Sequence, residues 1–352
     1  MSARWEDAGN ILCIRLDHLG DVLMCTPAMR ALRDSAPGRR LTLLTSPGAT
    51  AAVPFIPELD AALSFQAPWM KSSATQDAGA VTAMADTLRA GGFDAAVIFT
   101  TYSQSALPAA MLCHLAGIPL RLAHCRENPY QMLSHWVPES EPERQVRHEV
   151  QRQLDLVASV GCRTGDERMS FAVPPADLAW ARQRLTRLDI DPDGRWLLMH
   201  PGATAASRRY PPAHWARAAR LLADTGLPVV FSGGADESTL VDGIRAAAGG
   251  RGHSLAGQAT LGQLGALIAL ATVMVSNNTG PAHIASALGT PLVDLYALTN
   301  PQHTPWRTPS RVLFHDVPCR NCYKSVCPQG HHDCLARVDP ATVADAVRSL
   351  LP

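Results

Sequence analysis

The stretch from Thr272 to Val293 constrains the fold more than any other part of the sequence. It opens on an apolar run over 272–276 and continues through Asn277, Asn278 and Thr279 into small residues over 280–288. A second apolar run starts at Pro291. The pattern is a buried strand, a polar turn, a helix and another buried strand. A strand that delivers Asn-Asn-Thr-Gly to a helix N-terminus brings free N–H groups and the positive end of the helix dipole to one point, which suits a phosphate group. The alternation recurs along the chain. Strands are predicted over 11–16, 41–45, 61–65, 95–100, 196–200 and 228–231, and helices over 75–90, 103–116, 145–160, 177–188, 213–224, 237–247, 261–270 and 340–350. Continuous apolar strands alternating with helices require parallel sheets covered on both faces, so the fold class is α/β.

The segment 119–143 is rich in Pro, His and Arg and predicts loops with one late strand. Pro27 falls inside a helical stretch, where it must kink the helix or mark its first turn. The turn over 161–165 and the pair Pro174-Pro175 read as a linker. With 352 residues and 47% hydrophobic content, the chain is long enough for two cores. Two domains, over 1–172 and 173–352, are expected, the latter containing a Cys-rich loop over 316–336. Ligands of such sheets bind beyond the carboxyl ends of the strands, so the polar motifs after strands are the candidates.

Charge excludes one class of partner. Lys plus Arg and Asp plus Glu both total 31, which leaves no field to concentrate nucleic acid. The first residues are charged with no apolar leader, and no apolar run is long enough to span a bilayer, so a cytoplasmic protein is expected. The nine cysteines lack the regular spacing of a secreted disulfide framework.

Asp21 follows the first strand at a helix start, with Asp17 and His18 beside it. A carboxylate there can take a proton from a substrate hydroxyl, and an acid in the first turn of a helix also satisfies backbone N–H groups. After the strand over 196–200, small residues and Thr204, Ser207 and Arg208 can receive an anion, the guanidinium by forked hydrogen bonds. Asp236 in Ser-Gly-Gly-Ala-Asp is placed to meet a ribose or a base, or simply to cap a Gly-Gly turn. Asn278, Thr279, Gly280 and His283 complete the phosphate-binding turn, although a histidine there also packs readily into a core. There is no Gly-Lys-Ser/Thr loop and no GxGxxG fingerprint, which removes support for ATP hydrolysis and hydride transfer. Cys319, Cys322, Cys327 and Cys334 suit a closed tetrahedral zinc or iron site of structural rather than catalytic type. Free thiols packed in a loop are the alternative.

Taken together, 15–30, 200–203, 208–211 and 277–291 occur in the order found in the family-9 glycosyltransferases, and the chain resembles that family. Its best-known members are the ADP-heptose:lipopolysaccharide heptosyltransferases. The resemblance implies a GT-B architecture, two Rossmann-like domains facing each other across a cleft, with the last helix crossing back to the first. It implies inverting transfer without a catalytic cofactor, from an ADP-heptose-like donor to a lipid-linked or glycan acceptor, with peripheral contact at the inner membrane. Asp21 matches the general base, with Asp17 and His18 next to the acceptor. Arg208 stands where the family usually has Lys near the diphosphate, and Thr204 where it has a phosphate-binding hydroxyl. Thr279, Gly280 and His283 match the donor element, but Asn278 replaces the common Asp. An amide can still bond a sugar hydroxyl. Some members modify proteins, and a four-cysteine iron element occurs among them. A sugar-nucleotide epimerase or hydrolase, or a non-catalytic nucleotide-sugar binder on the same fold, stays open.

Overall fold

The computed structural model describes residues 3–71 and 78–352. The chain divides into two compact units, Met1–Ser170 and Phe171–Pro352.

In the first unit the order is β1 (Asn10–Arg15), α1 (Leu19–Asp34), β2 (Arg40–Thr45), α2 (Pro47–Thr50), β3 (Ala61–Ser64), α3 (Ala78–Ala90), β4 (Ala95–Ile98), α4 (Leu107–Leu115), β5 (Leu120–Cys125), β6 (His135–Pro138) and α5 (Glu149–Ala158). Among the described residues these strands form one parallel sheet in the order β3-β2-β1-β4-β5-β6. The predicted helix over 75–90 appears as α3, and residues 75–77 lie outside the described residues. Where one late strand was expected in 119–143, two are present. β5 is a buried central strand, whereas β6 is an edge strand of alternating exposure whose polar half hides its period. The core is formed by Leu12, Ile14, Leu44, Ile98, Leu112 and neighbours.

Pro27 lies in the interior of α1, neither at its start nor at its end. Proline has no N–H for the Leu23 carbonyl one turn back. The Thr26 hydroxyl supplies the missing donor, 2.7 Å from Leu23 O, and accepts the Ser170 N–H at 2.9 Å. The helix therefore continues with its carbonyl satisfied.

The second unit runs α6 (Pro175–Thr186), β7 (Leu197–His200), α7 (Pro212–Ala223), β8 (Val229–Phe231), α8 (Ser238–Ala247), β9 (His253–Ser254), α9 (Leu261–Leu270), β10 (Val273–Asn277), α10 (Gly280–Leu288), β11 (Leu292–Leu295), β12 (Ser310–Leu313), α11 (Asp333–Ala336) and α12 (Pro340–Arg348). Its parallel sheet has the order β12-β11-β10-β7-β8-β9. β9 and β12 were not predicted. One has two residues and the other four with none fully buried, too little apolar sequence to read as a strand. Pro175, read as linker, is the first residue of α6, where its missing N–H has no helical acceptor to serve. Val343, Ala344 and Val347 of α12 are buried in the core of the second unit, and the helix packs on α7 and β11.

The two sheets share one topology. In each, the strand order reverses between the first and fourth strands of the unit, β1/β4 and β7/β10. At such a reversal the following loops diverge and leave a crevice at the strand ends.

Candidate active site

In the first unit, the β1/β4 register pairs Ile14 with Ile98, so the chain after β1 lies beside the chain after β4. A cavity of about 570 Å³ opens there, with Asp17, His18, Trp69, Lys71, Thr100 and Gln104 among its lining residues. Its floor is apolar, formed by Ile14, Leu16, Ile98 and Phe99, and its rim is polar. Aromatic and aliphatic faces with hydroxyl, amide and charged groups at the edge suit a polyhydroxylated ligand.

Arg15 organises the carboxylates around this site. Its side chain is fully buried, and each guanidinium nitrogen faces a different acid. Nε lies 2.7 Å from Asp17 Oδ2, Nη2 3.2 Å from Asp21 Oδ1, and Nη1 2.6 Å from Glu149 Oε1. Asp17 is held further by the Gln104 amide, which donates to Oδ1 at 2.6 Å. Asp21 Oδ2 accepts the His18 backbone N–H at 3.1 Å. Asp21 therefore does what any acid in a first helical turn does and is also fixed by a cation. Burial pushes the Asp17 carboxyl up. Arg15 opposes that shift, and the negative charges of Asp21 and Glu149 add to it. The structure brings Asp17, His18 and Asp21 together as expected, and Asp17 is the acid that lines the cavity.

Glu149 is the group sequence reasoning missed. It lies 134 residues from Arg15 and carries no motif, and its position at the start of α5 explains an acid by the helix dipole alone.

In the second unit, β10 pairs with β7 so that Ser276 stands beside His200, and β11 so that Ser276 stands beside Asp294. This register puts the turn after β10 against the loop after β7. Asn277 joins them, its amide donating to Pro201 O at 2.7 Å and accepting the Tyr210 N–H at 3.1 Å. Half-buried Arg208 reaches the Asn278 carbonyl at 3.4 Å, next to the start of α10. Thr279 and Gly280 are partly open at that helix start, and Thr204 and Asp236 are exposed.

Asn278, Ser207 and His283 are placed differently from a simple donor-contact reading. Asn278 is only 3% exposed. Its amide nitrogen donates to Asp294 Oδ2 at 3.3 Å and to His303 O at 3.1 Å, so both hydrogens point inward. Asp294 is fully buried with Oδ1 lacking a hydrogen-bond partner. Burial pushes its carboxyl up to about 7, with Asn278 and Arg208 opposing. A carboxyl group thus stands one strand away from Asn278, on β11. Ser207 is buried, and its hydroxyl donates to Lys324 O at 2.7 Å, tying the Arg208 loop to the Cys-rich segment. His283 is buried edge-on to His303 with ring centroids 6.3 Å apart.

Residues 81–332 match the sequence profile described as Glycosyltransferase family 9 (heptosyltransferase). This chain belongs to that family. It is a glycosyltransferase. Lipopolysaccharide heptosyltransferase 2 of Escherichia coli K12 is 25% identical over 358 residues, covering 97% of this chain and 98% of that protein. Among solved structures, the family 9 glycosyltransferase from Veillonella parvula superposes with a TM-score of 0.80 at 19% identity, over 99% of this chain and 98% of that one. The E. coli ADP-heptose LPS heptosyltransferase II superposes with a TM-score of 0.75 at 22% identity, over 97% and 98%. At these identities the superpositions establish the shared fold.

Within this family 9 glycosyltransferase, Cys319, Cys322, Cys327 and Cys334 line one small cavity with His331 and His332. His331 Nδ1 accepts the Asp333 N–H at 2.9 Å, which leaves Nε2 directed at Cys319 Sγ, 3.7 Å away. Burial raises Cys334 above the usual thiol range, and the three other cysteines add to the shift. Among the described residues, however, no three His, Cys, Asp or Glu side chains are gathered closely enough to hold an ion. No helix among them is long and apolar enough to cross a membrane.

Proposed function

We propose that this enzyme transfers heptose, with inversion, from ADP-heptose to a sugar hydroxyl of a lipopolysaccharide inner-core acceptor. The observation that carries the proposal is the division of chemistry between the two strand reversals. The first gathers carboxylates around Arg15 beside a cavity that Asp17 lines, and the second gathers a guanidinium and an open helix start.

Asp21 accepts the proton of the acceptor hydroxyl as that oxygen forms its bond to the anomeric carbon. The bond from that carbon to the diphosphate oxygen breaks in the same displacement, and the nucleotide diphosphate leaves with the electron pair. Arg208 and the N–H groups at Thr279 and Gly280 stabilise the charge that develops on it. Thr204 and Asp236, both exposed in segments that follow β7 and β8, contact the donor's phosphate and nucleoside, and buried His283 supports the turn. Asn278 and Ser207 act from behind: one holds the α10 turn, the other the Arg208 loop. Asp17 and His18 contact the acceptor. With a lipid-linked acceptor, the first unit works at the inner-membrane surface.

The test is transfer from ADP-heptose to lipopolysaccharides purified from core-deficient strains, read as a mass increase of the acceptor. Asp21→Ala should abolish transfer and retain ADP binding. Near-normal turnover by that variant, or donor hydrolysis with no acceptor present, overturns the proposal.

The four thiols are the donor set for a structural zinc or iron ion, and catalysis does not pass through them. They share a cavity but do not form a ligand set as placed, so binding requires the loop to tighten. Metal analysis of untagged protein decides this. Less than about half an equivalent refutes a resident ion.

A further inference from the structure

Three carboxylates around one guanidinium leave an excess of negative charge in a region nearly closed to water. A core built for stability alone would match the cation with one acid or replace both by apolar groups, because desolvating extra ions is unfavourable. The three acids differ in what they can reach. Asp17 and Asp21 keep an open edge, with 14% and 16% of their side chains exposed, whereas Glu149 has none. Glu149 is also gripped from its own helix, where Gln153 donates to Oε1 at 2.8 Å and to Thr100 O, just beyond β4, at 2.9 Å. One side of the Arg15 fork is thereby anchored to α5 and the strand ends. The other two sides are left for Asp17 and Asp21.

We propose that Glu149 is a positioning residue for glycosyl transfer: it anchors Arg15, and Arg15 sets the direction and spacing of Asp21 and of the cavity-facing Asp17. The inference rests on the reading of Asp21 as general base. Geometry is half of the effect. A carboxylate that rotates freely spends much of its time turned away from the proton it must take. Charge is the other half. The negative Glu149 raises the proton affinity of Asp17, the acid that lines the cavity beside Asp21. Among the described residues, the other ionisable groups near the cluster include Cys25 on α1, whose buried thiol is shifted far up and stays neutral, exposed His18, and Lys71, which lines the same cavity as Asp17. Beyond Thr100 stands the Arg152–Glu139 pair, with His124 pushed down to about 4 mainly by burial.

Two substitutions separate geometry from charge. Glu149→Gln keeps the length and removes the charge. Its kcat should fall about tenfold with both KM values within about twofold, and the acid limb of kcat/KM should move down by about half a pH unit or more. Glu149→Asp keeps the charge and shortens the reach, so kcat should fall with the acid limb in place. The assay uses ADP-heptose and the core-deficient lipopolysaccharides. Carboxyl-detected NMR of aspartate-labelled free protein, with Asp17 assigned through Asp17→Asn, should show Asp17 titrating lower in Glu149→Gln. Wild-type kcat in both variants, or an unmoved Asp17 titration in folded Glu149→Gln, overturns the inference. If Glu149→Gln does not fold, the kcat of Glu149→Asp decides. Asp21→Ala distinguishes the two levels. If it is inactive while the Glu149 variants behave as wild type, only the positioning role fails, whereas an active Asp21→Ala removes the reading beneath it.

Discussion

Replacing Asn278 with aspartate, the residue that the resemblance to the family implies at this position, should damage this protein. The Asn278 amide nitrogen sits 3.3 Å from Asp294 Oδ2 and 3.1 Å from His303 O. An aspartate places a carboxylate oxygen against both. Two ionised carboxylates at that separation repel by about 5 kcal/mol at an effective dielectric constant of about 20. The protein has a less unfavourable route. Asp294 already titrates at about 7 because it is buried, so keeping its proton at pH about 8 costs only about 1.4 kcal/mol. The protonated acid can then donate to the new carboxylate. Protonation wins over repulsion, and the His303 carbonyl, left facing an acceptor, adds about 1–3 kcal/mol.

Asn278→Asp should therefore lose about 2–4 kcal/mol at pH about 8 and about 1–3 kcal/mol at pH about 6. The sign follows from the direction of the shift. Asp294 has a folded pKa above its unfolded value, so its stabilising proton counts fully below the unfolded value of 3.8 and the contribution is lost as pH rises to about 7. A second carboxylate moves the folded value higher still, so the deficit grows with pH. The assay is thermal unfolding at both pH values, with Asp294→Asn made in each background. Adding Asp294→Asn to Asn278→Asp should recover the pH-dependent part. Equal stability of Asn278→Asp and wild type at pH about 8, or a deficit independent of pH, refutes the reasoning.

Arg208→Ala should lower kcat/KM by about 100-fold, about 2.7 kcal/mol, with acceptor KM little changed; Arg208→Lys should recover part of it. Steady-state kinetics with ADP-heptose check this. Gly202→Ala builds a Cβ about 2 Å from the Glu237 carboxylate, which must leave the Gly234 N–H it accepts at 2.8 Å. Donor KM should rise several-fold with the fold intact, and an unchanged ADP affinity by calorimetry counts against the loop coupling. Thr26→Val removes the hydroxyl that serves both the Leu23 carbonyl and the Ser170 N–H. A loss of about 2–4 kcal/mol in unfolding is expected, from two buried polar groups left unmatched. A change below about 0.5 kcal/mol would mean that Pro27 is accommodated by other means.

The sequence was most legible where strands are continuous and apolar. β1, β2, β4, β7, β8 and β10 were readable because each is buried on both faces. β6, β9 and β12 were not, because β6 is half polar, β9 has two residues and β12 has no fully buried one; the edge strand β3 was still readable from its apolar run. The motif residues after strands were legible for a related reason: a loop beyond a parallel strand has to hold whatever the sheet positions. Glu149 and Asp294 left no such mark. One sits at an ordinary helix start and the other in an ordinary strand, and each acquires meaning only from a neighbour distant in sequence.

The Asn-Asn-Thr-Gly turn shows where the division falls. By itself the sequence determined that a buried strand delivers this turn to a helix start, because apolar periodicity and helix-end chemistry are local. Tertiary structure alone decided what the turn's side chains do. Strand register sets Asn277 across to Pro201 and Tyr210, and turns the Asn278 amide inward onto Asp294 and His303 rather than outward to a sugar. The likeness to the family lies in local motifs, whereas the Asp294 carboxyl behind Asn278 is visible only once β10 and β11 are paired. Pairing distant segments is a long-range property, and no window along the chain contains it.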